Sequence, residues 1–294
     1  MEKKLILRGV AVGALAGLLA FVFGRVFAEP HIQAAIDYES GRDTAQAALD
    51  RAAGLPTEPA GPDIFSRTIQ ANIGTGVGMI LFGIAMGALF AVAYTFCLGR
   101  VGNPSPRTLS VTVAAAGLLG LYLVPFLKYP ANPPSIGHPD TITDRGGLYL
   151  LMVGCSVSFL ILAVWLGRRL AQRWGNWNGN LLAAAAFVVA IGIVMVLLPS
   201  LGHLSANEQQ FGHHPTETPL PLTDTHGAIV YPGFPADVLF DFRLYSVAAQ
   251  LILWVTIGLA FAPLAHRLLT PRPDGTAGEA RSSHPLNAPR RGSR

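Results

Sequence analysis

Leu181-Leu182-Ala183-Ala184-Ala185-Ala186-Phe187-Val188-Val189-Ala190-Ile191-Gly192-Ile193-Val194-Met195-Val196-Leu197-Leu198 holds no charged residue, and it decides the fold. A helix rises 1.5 Å per residue, so about 20 apolar residues cross the ~30 Å hydrocarbon core of a bilayer. Inside that core no water can satisfy the backbone, and a helix satisfies it within the segment. The run does not alternate between apolar and polar residues, so it does not read as a barrel strand.

Working outward, five more stretches share this character. The expected spans run roughly 5–28, 71–97, 109–127, 147–167, 181–201 and 244–264. Charged residues make up 13% of the 294-residue chain, about half the share of a soluble domain. Lipid must therefore cover most of the surface. The expected fold class is all-α, a polytopic six-helix transmembrane bundle with extended outer loops. It occupies 1–270, and the Pro-, Gly-, Ser- and Arg-rich stretch 271–294 reads as a disordered basic cytoplasmic tail.

Lys and Arg set the orientation. With the N-terminus inside, fourteen of the 21 basic residues lie on the cytoplasmic side, while fourteen of the 17 acids lie outside. Short loops rich in Lys and Arg stay in the cytoplasm, so both termini are expected there. The net charge of +4 belongs to this sidedness and gives no case for nucleic acid. Cys97 and Cys155 both lie in apolar segments and form no disulfide framework; they read as packing residues.

The first segment admits two readings. Lys3, Lys4, an apolar run and Val26-Phe27-Ala28 resemble a signal peptide cleaved after Ala28. The run is long for that, Arg25 precedes the site, and Gly9, Gly13 and Gly17 form a small-xxx-small ladder that suits helix packing. A retained span is the favoured reading. Gly74, Gly78, Gly83 and Gly87 repeat the ladder in the second span. Of the outer loops, 29–70 carries two helical patterns, 30–39 with Pro30 at its start and 44–53 ended by Gly54. The loop after Lys128 is proline-dense and extended, and 202–243 is long and rich in His and Pro.

Candidate chemistry gathers on the outer side. His31, His138, His203, His213, His214 and His226 all fall there, accompanied by Glu29, Asp140, Glu217 and Asp224. Imidazole and carboxylate together suit borderline divalent metals. Asp237 and Asp241 lie four apart at the start of the last helix, on one face, where a cation would relieve their repulsion. No HExxH zinc motif and no GxxxxGK[ST] loop occurs, and no nucleophile–base set stands out, so the chain does not read as an enzyme. Gln250 is a polar residue about two turns into the last span, and the spans carry no charge at their centres.

Several stretches together carry a family resemblance. They are Gly13–Phe21 with Arg25-Val26-Phe27 and Glu29-Pro30, then Pro125-Phe126-Leu127-Lys128-Tyr129-Pro130-Ala131-Asn132-Pro133-Pro134 with Pro139-Asp140-Thr141, and Gly233-Phe234-Pro235-Ala236-Asp237 running through Phe242-Arg243-Leu244 to Gln250–Trp254. These resemble the CbtA family of predicted cobalt transporter subunits, over most of residues 9–264. The resemblance implies a bacterial inner-membrane protein linked to cobalt supply for cobalamin. It also implies a small single-span, histidine-rich partner subunit. Its motifs fall here on Glu29, Lys128, Asn132, Asp140, Asp237, Arg243 and Gln250. His213 and His214 lie outside them.

The expectation is a membrane subunit of a cobalt, or nickel, uptake system. Glu29, His31, His138, Asp140, His213, His214, Asp237 and Asp241 would bind the cation on the outer face, with Lys128, Asn132, Arg243 and Gln250 along its path. No tightly bound cofactor is expected; Co²⁺ or Ni²⁺ is the transported ion. The binding partners are then lipid, the cation and the partner subunit. The alternative is a membrane accessory or scaffold subunit that binds no metal and docks a partner protein. A membrane enzyme with an outer metal site is a third, weaker reading.

Overall fold

A computed structural model of the chain describes residues 2–56, 65–213 and 216–269. The expected tail, 271–294, lies outside the described residues. The helices are α1 (Glu2–Phe23), α2 (Glu29–Ala52), α3 (Arg67–Ile69), α4 (Thr75–Cys97), α5 (Pro106–Gly117), α6 (Val124–Lys128), α7 (Ile142–Leu197), α8 (Ser205–Phe211) and α9 (Ala236–Leu269). A two-residue strand, β1 (Leu222–Thr223), pairs antiparallel with β2 (Ile229–Tyr231) in the third loop. The fold is thus an all-α polytopic membrane protein with almost no strand.

Among the described residues, five continuous helical runs are long and apolar enough to cross a membrane. The six expected spans fall within them, because 147–167 and 181–201 share one run. Straight, the 56 residues of α7 would extend about 84 Å, nearly three bilayer cores. Instead α7 breaks at Gly175, whose φ of 78° and ψ of 162° are open to glycine and closed to most L-residues. The two arms fold back on each other. A Cβ on Gly179 would sit 2.4 Å from the nitrogen of Ala171, and one on Gly167 would sit 2.9 Å from Asn180 Oδ1. The expected short cytoplasmic loop 168–180 is therefore the helical tip of a hairpin.

The tightest packing lies between α1 and α4. They run antiparallel with glycine against glycine. A Cβ on Gly13 would meet the Gly83 carbonyl oxygen at 2.2 Å, and one on Gly87 would meet that of Gly9 at 2.2 Å. Lipid offers no hydrophobic drive between helices, so such backbone approach and its van der Waals contact hold them together. Only half of the second ladder is used: a Cβ on Gly78 would meet nothing within 4 Å. Helix α9 covers the flank of this pair. Leu253, Trp254, Ile257 and Phe261 pack with Leu5, Phe90 and Tyr94, and Ser110 in α5 donates to the Gly258 carbonyl at 2.7 Å. Arg8 donates to the Leu264 carbonyl at one end of the bundle.

Three spans carry a widened π-helical turn toward the same end: Gly24–Ala28, Gln70–Gly74 and Leu118–Leu123. Two of them precede a proline. Pro30 and Pro125 lack an N–H and would clash with the carbonyl four residues back. The wide turn relieves that clash by shifting a bond to i−5: Glu29 N–H bonds Gly24 O, and Val124 N–H bonds Leu119 O. This is why the loop 29–70, expected on the outer side, differs from expectation. Its two helical patterns form one helix, α2, continuous with α1 from Glu2 to Ala52.

Candidate cation site at the loop end

The long loops converge at the end of the bundle where these wide turns lie. Tyr38 in α2 donates to the Pro232 carbonyl at 2.9 Å, Arg42 donates to the Leu220 carbonyl at 2.7 Å, and Arg243 in α9 donates to Ala131 and Asn132 at 3.1 and 2.8 Å. The short connections gather at the opposite end, where Arg168 donates to the Arg100 carbonyl.

His31 and Asp241 meet here, 210 residues apart in the chain. His31 follows Pro30 in the first turn of α2, and Asp241 lies in the second turn of α9. Imidazole Nε2 is 3.3 Å from Asp241 Oδ2, and Nδ1 is 3.2 Å from the Phe27 carbonyl. The ring packs edge-on to Tyr245 at 5.3 Å, within an aromatic group that includes Phe23 and Phe27. Both ring nitrogens therefore face acceptors. A neutral imidazole has one N–H, so one nitrogen would present its lone pair to an oxygen. Either a second proton or a cation resolves that contact.

The other residues singled out from sequence are dispersed. Glu29 is buried and paired with Arg67, which also donates to Gln33 at 3.1 Å. His138 Nδ1 accepts from the Asp140 N–H at 3.1 Å, which caps a short turn. His213 pairs with Glu208 at 3.0 Å and stacks on His203 with ring centroids 4.4 Å apart; His214 lies outside the described residues. Asp237 Oδ1 accepts from Val238 N–H at 2.9 Å in the first turn of α9. Lys128 sits 5.8 Å from the Tyr129 ring, and Gln250 is half-buried in α9. Among the described residues, no group of three or more His, Cys, Asp or Glu comes together as a metal site.

From sequence, Glu217 reads only as an acid near the loop histidines. In the fold it is 2% exposed and joins four segments. Arg145 donates to it at 2.9 Å, Asn132 at 3.2 Å, Thr141 at 3.3 Å and Asn207 at 3.5 Å. Gly137, at φ 125°, lies against this ion pair, and a Cβ there would sit 2.7 Å from Arg145 Nη1. No spacing in the chain signals this junction, because its partners come from separate loops. Beneath it opens a cavity of about 840 Å³, bounded by the Pro130–Pro134 loop, Tyr122, Tyr149 and Glu217.

A family model described as a probable cobalt transporter subunit (CbtA) matches residues 2–266. The chain belongs to the CbtA family. The resemblance carried by the Pro125–Pro134 and Gly233–Trp254 strings is thereby borne out. CbtA describes one subunit of a transporter, which implies a partner protein and a role other than catalysis. No curated protein and no solved structure matches the chain.

Proposed function

We propose that this CbtA protein is the membrane subunit of an uptake system for cobalt, with nickel as the related ion. It captures the cation on the outer face and passes it through the helix bundle. The observation that carries this reading is the His31–Asp241 contact, where an imidazole nitrogen and a carboxylate oxygen stand 3.3 Å apart at the mouth of the bundle. Two protein donors leave the remaining coordination to water, so an ion held there binds loosely enough to move on. Asp237 and the other exposed acids of this face raise the local cation concentration. The orientation puts both termini in the cytoplasm of a bacterial inner membrane, as the basic inner loops favour. A single-span, histidine-rich partner would deliver or receive the ion.

Radiocobalt uptake at limiting cobalt tests this. Cells carrying the intact gene should exceed a deletion strain, and His31→Ala or Asp241→Asn should cut uptake about tenfold with membrane levels unchanged. Equal uptake with and without the gene would end the proposal. A scaffold role without metal binding has one observation in its favour: Glu29, His138 and Asp237 already use their acceptor atoms to hold local structure. Under that reading both substitutions leave uptake intact while partner capture changes.

A further inference from the structure

We infer that the cavity below Glu217 is a water-filled vestibule, and that it admits a hydrated divalent cation to membrane depth between the Leu118–Leu123 turn with α6 and the first arm of α7. This rests on the transport reading and names the route that reading leaves open. The α1–α4 interface offers no such route, since carbonyl oxygens and glycine backbones already touch there. The cavity differs on every count.

Its size is the first point. At about 30 Å³ per water, 840 Å³ has room for roughly two dozen waters, and an ion with six waters fills about a quarter of it. Its charge is the second. Glu39, Glu217 and Arg145 are the charged residues of its wall, so the wall is net negative and favours a cation over an anion.

Its floor is the third. Tyr122 lies in the π-helical turn Leu118–Leu123, and its hydroxyl is buried with no hydrogen-bond partner. The Tyr122 ring lines the cavity, and its shielded hydroxyl is a costly unpaired polar group at the floor that a small side-chain shift would bring to water. Pro125 cannot donate to the Leu121 carbonyl, and that oxygen accepts instead from Tyr149 at 3.2 Å, from the facing wall. Irregular backbone survives at this depth when it is buried in protein or lines a wet cavity. Below the floor, Ser156 presents a second buried hydroxyl without a partner, opposite Gly120.

Cysteine accessibility tests the inference. In a Cys97→Ser, Cys155→Ser background, Tyr122→Cys, Tyr149→Cys and Gly146→Cys are labelled with a charged thiosulfonate in membranes open on both faces. Gly146 lines the cavity, and a side chain there meets nothing within 4 Å, so that variant preserves the fold. The three should react within about tenfold of the exposed His226→Cys, and the lipid-facing Leu150→Cys about a hundredfold more slowly. Millimolar Co²⁺ should slow Tyr122→Cys and Gly146→Cys at least about threefold and leave His226→Cys unchanged. Reaction at all three positions as slow as at Leu150→Cys overturns the vestibule. Fast reaction that Co²⁺ does not slow overturns the cation assignment. Neither readout needs transport, so a failure here is separable from a failure of the uptake experiment.

Discussion

The α1–α4 pair and the α7 hairpin are both apolar helix pairs, yet they are built on opposite plans. The most apolar window of the chain lies in the run containing α7, and only 11% of it is buried; the window in the run containing α1 is 39% buried. Leu150, Ile161, Val188 and Val196 face outward from the hairpin, while the α1–α4 contact is made of glycine. In lipid, high hydropathy marks what faces the solvent, and small residues mark what packs. The hairpin meets the rest of the bundle mainly through Met152, Ile191, Val124 and Tyr129, beside a cavity and two orphan hydroxyls. One half is closed, and the other keeps polar space at membrane depth.

The contrast breaks most easily at its closed half. Gly13→Leu should cost about 3 kcal/mol or more, because its side chain would enter the Gly83 backbone; detergent-solubilised protein should lose most of its monodisperse fraction. Gly78→Ala in the same helix pair should do the reverse and stabilise by roughly 0.5–1 kcal/mol, since helical glycine is entropically costly and nothing crowds that position. Equal effects of the two would mean that the interface is not the one described.

Next in size is Glu217→Gln, which leaves the Arg145 guanidinium without its counter-ion. With Arg145 itself 26% exposed, the loss should be about 2–3 kcal/mol rather than the full cost of a buried pair. It should appear as faster amide exchange across 216–235, with α1 and α4 unchanged. Gly175→Ala strains the turn of the hairpin at positive φ and should cost about 1–2 kcal/mol, read as a lower Tm. Ser110→Ala removes one hydroxyl-to-carbonyl bond between α5 and α9 and should cost only about 0.6 kcal/mol. A larger loss at Ser110 than at Glu217 would mean that the buried ion pair is not what ties the loops together.

The spans are legible in the sequence because hydropathy and charge act locally along the chain. Leu181–Leu198 announces itself, and so do Gly9, Gly13 and Gly17 as a packing face. Which glycines of the second ladder are used is not legible: Gly74, Gly78, Gly83 and Gly87 share one motif, and only the direction and depth of the partner helix select the last two. Pro30 reads as a helix start because an unbroken helix would clash there, and the π-helical turn that removes the clash leaves little trace in composition. At the candidate site, His31 and Asp241 are each visible as ligand types. Their pairing depends on α2 and α9 arriving side by side, which no local signal encodes. The role of Glu217 is harder still, because its four donors come from Asn132, Thr141, Arg145 and Asn207.

The flank of the glycine-faced pair has a consequence for how the protein is made. Arg8 bonds Leu264, and His31 meets Asp241, so the helical run Glu2–Ala52 is clasped at two levels by α9, whose partner residues lie 256 and 210 positions later in the chain. Until α9 has been synthesised, α1 and α4 stand in the bilayer with one side bare. A chain halted before residue 236 would be an unfinished seam that membrane quality control can recognise, and insertion of α9 becomes the event that covers it.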